Sequence, residues 1–519
     1  MKKSLLKATT IMMAVAMLSG ALTGCGNSGS GNTAGTGSTG TDASASGTAE
    51  TPVISYYYPT APSEHDKKVW DSLNPYLKEK ANVTVDYHPI DWGEYDDRTS
   101  TIVSSGQDFD VMFCNNTYFS KVQLGACLPV EEYLKKEDVW GALPEWLWKA
   151  ATVDGHIYGV PTYKDCAAVP GMIWNKTMAD ELGITVPASY KKEKDMNDLF
   201  YEAKKKRDAA HPEDANIPIL ISTQMTQMFD GTATNFAATN IPGMELCAGY
   251  KAGEQVFNYY DTPEYAEMAK LHKQWVTDGI YPMDSANYDT EAGVRNSGKI
   301  MFQFTLGYVS VDPHMWGQDF EISFSPCDER FLATGYVMFG SNVVGAKSKN
   351  PEAAVRYLNM VNTDNFVANT IRFGVEGEYW KKTDDNRLDF TDTLNADPQQ
   401  RAYYNWYGWQ FGQLFCMSLP QQESATLWDD LKKANETAYV SDNMGWVFDQ
   451  TPVSTEIASC NAIVTEYNDN LERGMSPDVD KAVADFRQKL KDAGVDKITA
   501  EAQKQLNEWR AANNKSVAK

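Results

Sequence analysis

Six histidines in 519 residues leave little material for histidine chemistry, and none forms an HExxH or Hx3H pair. Neither a GxSxG elbow nor a phosphate-binding P-loop occurs. The eight cysteines include no CxxC pair, and their wide spacing excludes the usual zinc patterns. Asp384-Asp-Asn386 lacks the glycine and terminal glutamate of a calcium loop and reads as a turn. No metal, cofactor or catalytic residue is expected. Basic residues are also scarce: 47 Lys and Arg stand against 70 Asp and Glu, for a formal net charge of −23. Nucleic acid needs basic patches and is not an expected partner.

The N-terminus carries a directed signal. Lys2, Lys3 and Lys7 precede the apolar run from Ile11 to Leu18, which is too short to span a bilayer. Small residues follow, as at a secretory cleavage site. Leu22-Thr-Gly-Cys25 resembles the bacterial lipobox, which implies cleavage before Cys25 and a diacylglyceryl anchor on it. Two acyl chains anchor stably where one binds marginally. Loss of residues 1–24 would leave 44 basic and 70 acidic residues, a charge of −26. From Gly26 to about Glu50 the chain is almost entirely Gly, Ser, Thr, Ala and Asn. Such a segment buries too little apolar surface to offset its ordering entropy and reads as a flexible tether. Of the seven other cysteines (114, 127, 166, 247, 327, 416 and 460), most read as small buried hydrophobes.

The remaining 470 or so residues suffice for two domains. The 14 Trp and 27 Tyr supply large cores. Val53-Ile-Ser-Tyr-Tyr-Tyr58 predicts a buried strand. Val69, Trp70, Leu73 and Leu77 share one face of a helix over 64–80. Val83 to Tyr87 alternates as a second strand. Asp91-Trp-Gly-Glu94 resembles a capping box opening a helix that stops near Gly106. Phe109 to Cys114 is a third strand. This rhythm predicts an open α/β sheet, whose ligands bind beyond the carboxyl ends of the strands.

Four segments resemble, in order, those of extracellular solute-binding proteins of carbohydrate ABC importers. They are Ser105-Gly-Gln-Asp-Phe-Asp-Val111, Asp154-Gly-His-Ile-Tyr-Gly-Val-Pro161, Ile173-Trp-Asn-Lys to Gly183, and Ser348-Lys-Asn-Pro to Leu358. Phe373-Gly-Val-Glu-Gly-Glu-Tyr379, Phe448 to Ile457 and Lys489 to Trp509 are similar to the LipO-like lipoprotein subfamily. Trp409-Gln-Phe-Gly-Gln413 departs from that subfamily, which often has Asn at the last position. The resemblance implies a two-lobed, type II periplasmic-binding-protein fold of α/β class, with an interlobe cleft and extra C-terminal helices. The first lobe is placed at 51–168 plus 308–338, and the second at 169–307 plus 339–519. Crossings are expected near 169–174, 303–307 and 336–342.

Capture of a sugar needs flat apolar faces and a few placed polar groups. Candidates in the first lobe are Tyr58, Trp92, Asn115, Tyr118, Tyr163, Lys164 and Asp165, which follow strand ends or the turn at Pro161. Asp91 reads as a helix cap rather than a ligand contact. Second-lobe candidates are Gln227, Phe229 and Asp230, after an apolar strand at 217–221, and Gln303, Phe304 and Tyr308 at a crossing. Arg372, Glu376 and Glu378 bracket the Glu376-Gly-Glu378 segment and can pair with one another rather than with ligand, whereas an Arg372 that faces the cleft would suit an acidic sugar. Trp406 and Trp409 would share a helical face, where core packing competes with ligand contact. The expected protein is a monomeric, lipid-anchored, non-enzymatic binding protein on the outer face of the cell membrane. Its partners are an oligosaccharide and ABC permease subunits. The rival readings are a surface glycoside hydrolase using two carboxylates, a binder of another solute such as a peptide, and a structural surface protein.

Overall fold

Alternation in the first strand decides how the first lobe is built. In β1 (Val53–Pro59) Ile54, Tyr56 and Tyr58 are buried on one face, while Tyr57 points to the other. α1 (Asp66–Ala81) covers the first face with Val69, Trp70, Leu73 and Leu77, the four residues the helical period selects. β2 (Thr84–Ile90) follows, then α2 (Trp92–Ser105) and β3 (Val111–Cys114). The Asp91 carboxylate caps α2 by accepting from Gly93 N at 2.9 Å. The expected capping box is not closed at Glu94, which instead lies 3.6 Å from Arg98.

The other strands that place the site are β4 (Gly159–Pro161), β5 (Val169–Asn175), β6 (Leu220–Ser222), β7 (Phe302–Gly307), β8 (Ile322–Pro326), β9 (Phe331–Leu332), β10 (Ser341–Val344) and β11 (Tyr439–Val440). The computed structural model describes residues 50–115, 117–167, 169–222, 246–248, 253–282, 297–307, 320–327, 329–393, 401–403, 405 and 408–517. One sheet has the order β2-β1-β3-β10-β4, and a second has β8-β5-β7-β6. β1 pairs in parallel with β2 and β3, whereas β10 runs antiparallel to β3 and β4. Residues 351–363 and 365–373 form helices that pack with α1 into the first-lobe core. Helices at 454–472, 479–493 and 495–512 share a core with residues 256–269. Among the described residues no helix is long and apolar enough to cross a membrane.

Several motif residues have structural work. Asp110 accepts from Ser55 N at 2.9 Å and from Ser348 Oγ at 2.5 Å, tying β1 to the loop before the 351–363 helix. At Gly159 a Cβ would meet Asn342 O at 2.2 Å, so only glycine lets β4 lie this close to β10. Cys114, Cys127, Cys166, Cys327 and Cys460 are buried, and Cys416 is half-buried.

The strand pairings divide the chain differently from the expected boundaries. Residues 322–326 pair with β5 in the second sheet, not the first lobe. Residues 341–344 and the helices at 351–363 and 365–373 belong to the first lobe, not the second. β5 and β7 pair with each other along residues 169–174 and 302–307, so neither is a crossing. The chain passes from the first sheet to the second at 162–167, returns at 327–340, and leaves the first-lobe core for that of the C-terminal helices near 435–445. The expected crossing at 336–342 overlaps the second of these.

The three passages are bonded to one another. Thr162 N donates to Gly340 O at 2.8 Å, and Arg330 Nη1 donates to Ala167 O at 3.1 Å. Tyr439 N donates to Arg330 O, and Ser441 N to Leu332 O, as the short β9–β11 ladder. Asn435, 2% exposed, accepts from Ala167 N at 2.9 Å and donates to Lys164 O at 2.6 Å. Asn435→Ala leaves the buried Ala167 N–H without its acceptor and removes one of the two donors to Lys164 O, the other being Cys166 N. It is expected to lower stability by about 2 kcal/mol in urea unfolding.

Candidate functional site

Beyond the carboxyl ends of β2 and β3 the chain assembles aromatic rings from three separate segments. Trp92 opens α2 directly after β2 and is 39% exposed. Phe339, in the second passage between sheets, is 36% exposed. Trp409 lies between them, stacked on Phe339 (5.6 Å between centroids, 29°) and nearly perpendicular to Trp92 (6.4 Å, 72°). Buried Phe113 supports the group from β3, 5.9 Å from Trp409. Gly340 makes the arrangement possible. A Cβ there would meet Thr162 Oγ1 at 2.5 Å and the Trp409 ring at 3.3 Å.

Charge enters from the first passage. Lys164 Nζ lies 5.9 Å from both the Phe339 and Trp409 ring centroids, within cation–π range. It is 3.7 Å from Asp165 Oδ1. Burial pushes the Asp165 carboxyl above its ordinary range, and Lys164 and Arg330 pull it part of the way back. Burial also lowers Arg330, again opposed by Asp165. Two amides close in sequence to Phe113 and Trp409 carry unused capacity. Asn115 Oδ1, just after β3, is enclosed without a hydrogen-bond partner. Gln410, next to Trp409, is fully buried, and neither of its side-chain polar atoms has a partner. Orphaned buried polar atoms are rare in folded proteins and call for a specific explanation. Among the described residues no group of three or more His, Cys, Asp or Glu is placed to hold a metal. The arrangement offers flat apolar faces, a cation, a carboxylate and amides, which suits binding of a polar, ring-shaped solute.

The family model described as bacterial extracellular solute-binding protein matches residues 61–365, more than half the chain. The chain belongs to the bacterial extracellular solute-binding protein family. A second model, a domain of unknown function, matches residues 443–511. A carbohydrate ABC transporter substrate-binding protein of Streptococcus pneumoniae serotype 4 is 24% identical over 504 residues, covering 96% of each chain. Among solved structures, the N-glycan transport solute binding protein NgtS of S. pneumoniae, in complex with Man1GlcNAc, superposes with a TM-score of 0.72 at 23% identity. That match covers 88% of this chain and 99% of that one. The S. pneumoniae ABC-transporter substrate binding protein FusA, in complex with kestose, gives 0.59 at 16%, over 89% and 100% of the two chains. These likenesses establish the two-lobed α/β fold.

In this solute-binding protein the sequence candidates separate into groups. Trp92, Lys164, Asp165 and Trp409 come together as described, and Asn115 follows Phe113 by two residues at the end of β3. Tyr58, Tyr118 and Phe304 do not join them, because each is enclosed in a lobe core. Tyr58 donates to Asn405 Oδ1, Tyr118 donates to Ala151 O, and Phe304 packs on Phe200 and Trp275. Tyr163 packs against Phe415 and Trp146. Gln303 is buried in the second sheet, paired with Ile173 and Ile221, and its Oε1 lacks a partner. Arg372 runs across Gly408, beside the turn that carries Trp409, and reaches Met417 Sδ at 3.6 Å. Glu376 is exposed, and the nearby Glu378 pairs with Lys68. Gln227, Phe229, Asp230, Tyr308 and Trp406 lie outside the described residues. Trp409 sits in a turn, not in the expected helix, since Gly408 and Gly412 flank it and pack against neighbouring backbone or side chain. Gln413 donates to Asn362 O within the first lobe, so its departure from the subfamily pattern has a structural use. Phe339 and Gln410 were missed, although Phe339 falls inside the crossing expected at 336–342.

Gly340→Ala must move Thr162 or Trp409. An overpacked methyl of this kind costs about 1–3 kcal/mol. Thermal unfolding of the variant is expected to show that loss, with altered tryptophan fluorescence as Trp409 shifts.

Proposed function

We propose that the chain is the lipid-anchored substrate-binding protein of an ABC importer, capturing an oligosaccharide between its lobes and delivering it to membrane permease subunits. The observation that carries the sugar reading is the group Trp92, Phe339 and Trp409, partly exposed beyond the strand ends with Lys164 against two of the rings. Aromatic faces take the apolar faces of pyranose rings, and Lys164, Asp165, Asn115 and Gln410 are the groups for hydroxyls. The S. pneumoniae relative named as a carbohydrate ABC transporter protein supports the importer role, as do NgtS with bound glycan and FusA with kestose. Anchoring rests on Leu22-Thr-Gly-Cys25 and on the Gly/Ser/Thr-rich segment behind it. The site needs no metal and performs no bond chemistry. Lobe closure follows ligand, because a ligand touching both lobes binds the closed form better.

Calorimetry and thermal shift with Man1GlcNAc, Man5GlcNAc, kestose, and acidic and amino sugars test the reading. A bound oligosaccharide raises the melting temperature by mass action. Trp92→Ala is expected to weaken that binding about tenfold to a hundredfold while changing stability little, given the exposure of the ring. Absence of saturable binding across the panel would sink the sugar reading. Release of shorter products over hours would support a hydrolase instead.

A further inference from the structure

The face of β1 opposite α1 carries a second feature outside the ring group. Tyr57 and His88, directly paired between β1 and β2, stack at 4.7 Å with planes 15° apart. β2 is the edge of its sheet, and 37% of the His88 side chain is exposed. Beside this two-ring surface lies a hollow of about 540 Å³, whose facing wall is the outer side of α2 with Asp97, Arg98 and Thr101. Gln107 closes one end and donates to the Tyr57 hydroxyl at 3.2 Å. A hollow of this size falls in the roughly 300–1,000 Å³ range of small-molecule sites and admits one or two sugar rings.

The hollow stands back to back with the ring group. Ile90, Tyr95 and Phe113 form one small cluster, and both Tyr57 and Trp409 pack against it. The Tyr95 hydroxyl is placed to bond both Tyr57 O (3.0 Å) and Phe113 O (2.9 Å), which fixes this shared wall. Ile90 lines the hollow, and Trp92 begins the ring group two residues later.

We propose that this hollow is a second carbohydrate site, an extension on the flank of the first lobe that holds one or two neutral sugar units. The ligand class follows from the walls. A flat aromatic surface wants a flat apolar face. A carboxylate, a guanidinium and an amide around it want hydroxyls, which donate and accept alike. An anion would face Asp97, and also Asp86, which lies 2.9 Å from His88 Nε2. As an extension of the captured oligosaccharide the assignment rests on the carbohydrate reading of the ring group, but the hollow is testable without it.

The test titrates the Trp92→Ala chain, its ring group impaired, with methyl α-mannoside, glucose, galactose and N-acetylglucosamine. The imidazole signals of His88 are followed by NMR, assigned with His88→Gln. The expected result is a saturable shift for at least one sugar, in wild type and Trp92→Ala alike. The double variant Arg98→Ala/Gln107→Ala should weaken it about tenfold, as loss of two polar contacts would. Silence of His88 toward all four sugars to roughly 50 mM, well above the millimolar affinity of a single-unit site, overturns the proposal. A shift unaffected by the double variant also overturns it, since the sugar then sits elsewhere. A His88 response without oligosaccharide binding at the ring group would leave the hollow standing and remove the ring-group reading.

Discussion

The site depends on one backbone clamp. Asn435 reaches out of the 427–437 helix, accepts from Ala167 N and donates to Lys164 O, while Arg330 holds Ala167 O from the second passage. These bonds fix the short segment that carries Lys164 and Asp165. They also join the two passages between the sheets and the segment near 435–445 that leads to the C-terminal helices, so the parts that rotate against each other in lobe closure meet where the charged pair sits. Few residues are needed to absorb such a rotation, and they need not be glycines.

Lys164 and Asp165 sit together at a cost. The Lys164 side chain is buried and that of Asp165 partly so, and their separation of 3.7 Å gives attraction without an ideal hydrogen bond. The rings of Phe339 and Trp409 offset part of that cost for the ammonium. Asn115 Oδ1 and the Gln410 amide, enclosed without partners, add to the local expense. Such expense in a well-packed first lobe is typical of a place shaped for something other than stability.

The sequence made the first half of the first lobe legible, because its signals are local. Alternation in Val53 to Tyr58, the helical spacing of Val69 to Leu77, the Asp91 cap and the apolar run to Cys114 each specify one element, and each element formed. The ring group was half legible. Trp92 is marked by its place after a strand, but Phe339 sits in a passage whose side-chain directions depend on two lobes at once. Trp409 was read on a helix because Trp406 and Trp409 are three apart; the glycines around it favour a turn. The lobe boundaries went astray at 322–326 and 341–344. Both are short apolar strands, and nothing local tells which sheet each joins. The partner strands lie 150 to 230 positions earlier in the sequence.

The most direct check is a crystal structure of the chain grown with whichever oligosaccharide binds it best. The account predicts sugar rings against Trp92 and Trp409, with a hydroxyl within hydrogen-bond reach of Lys164 Nζ or the Asp165 carboxylate. A well-ordered sugar bound away from all four residues would contradict it.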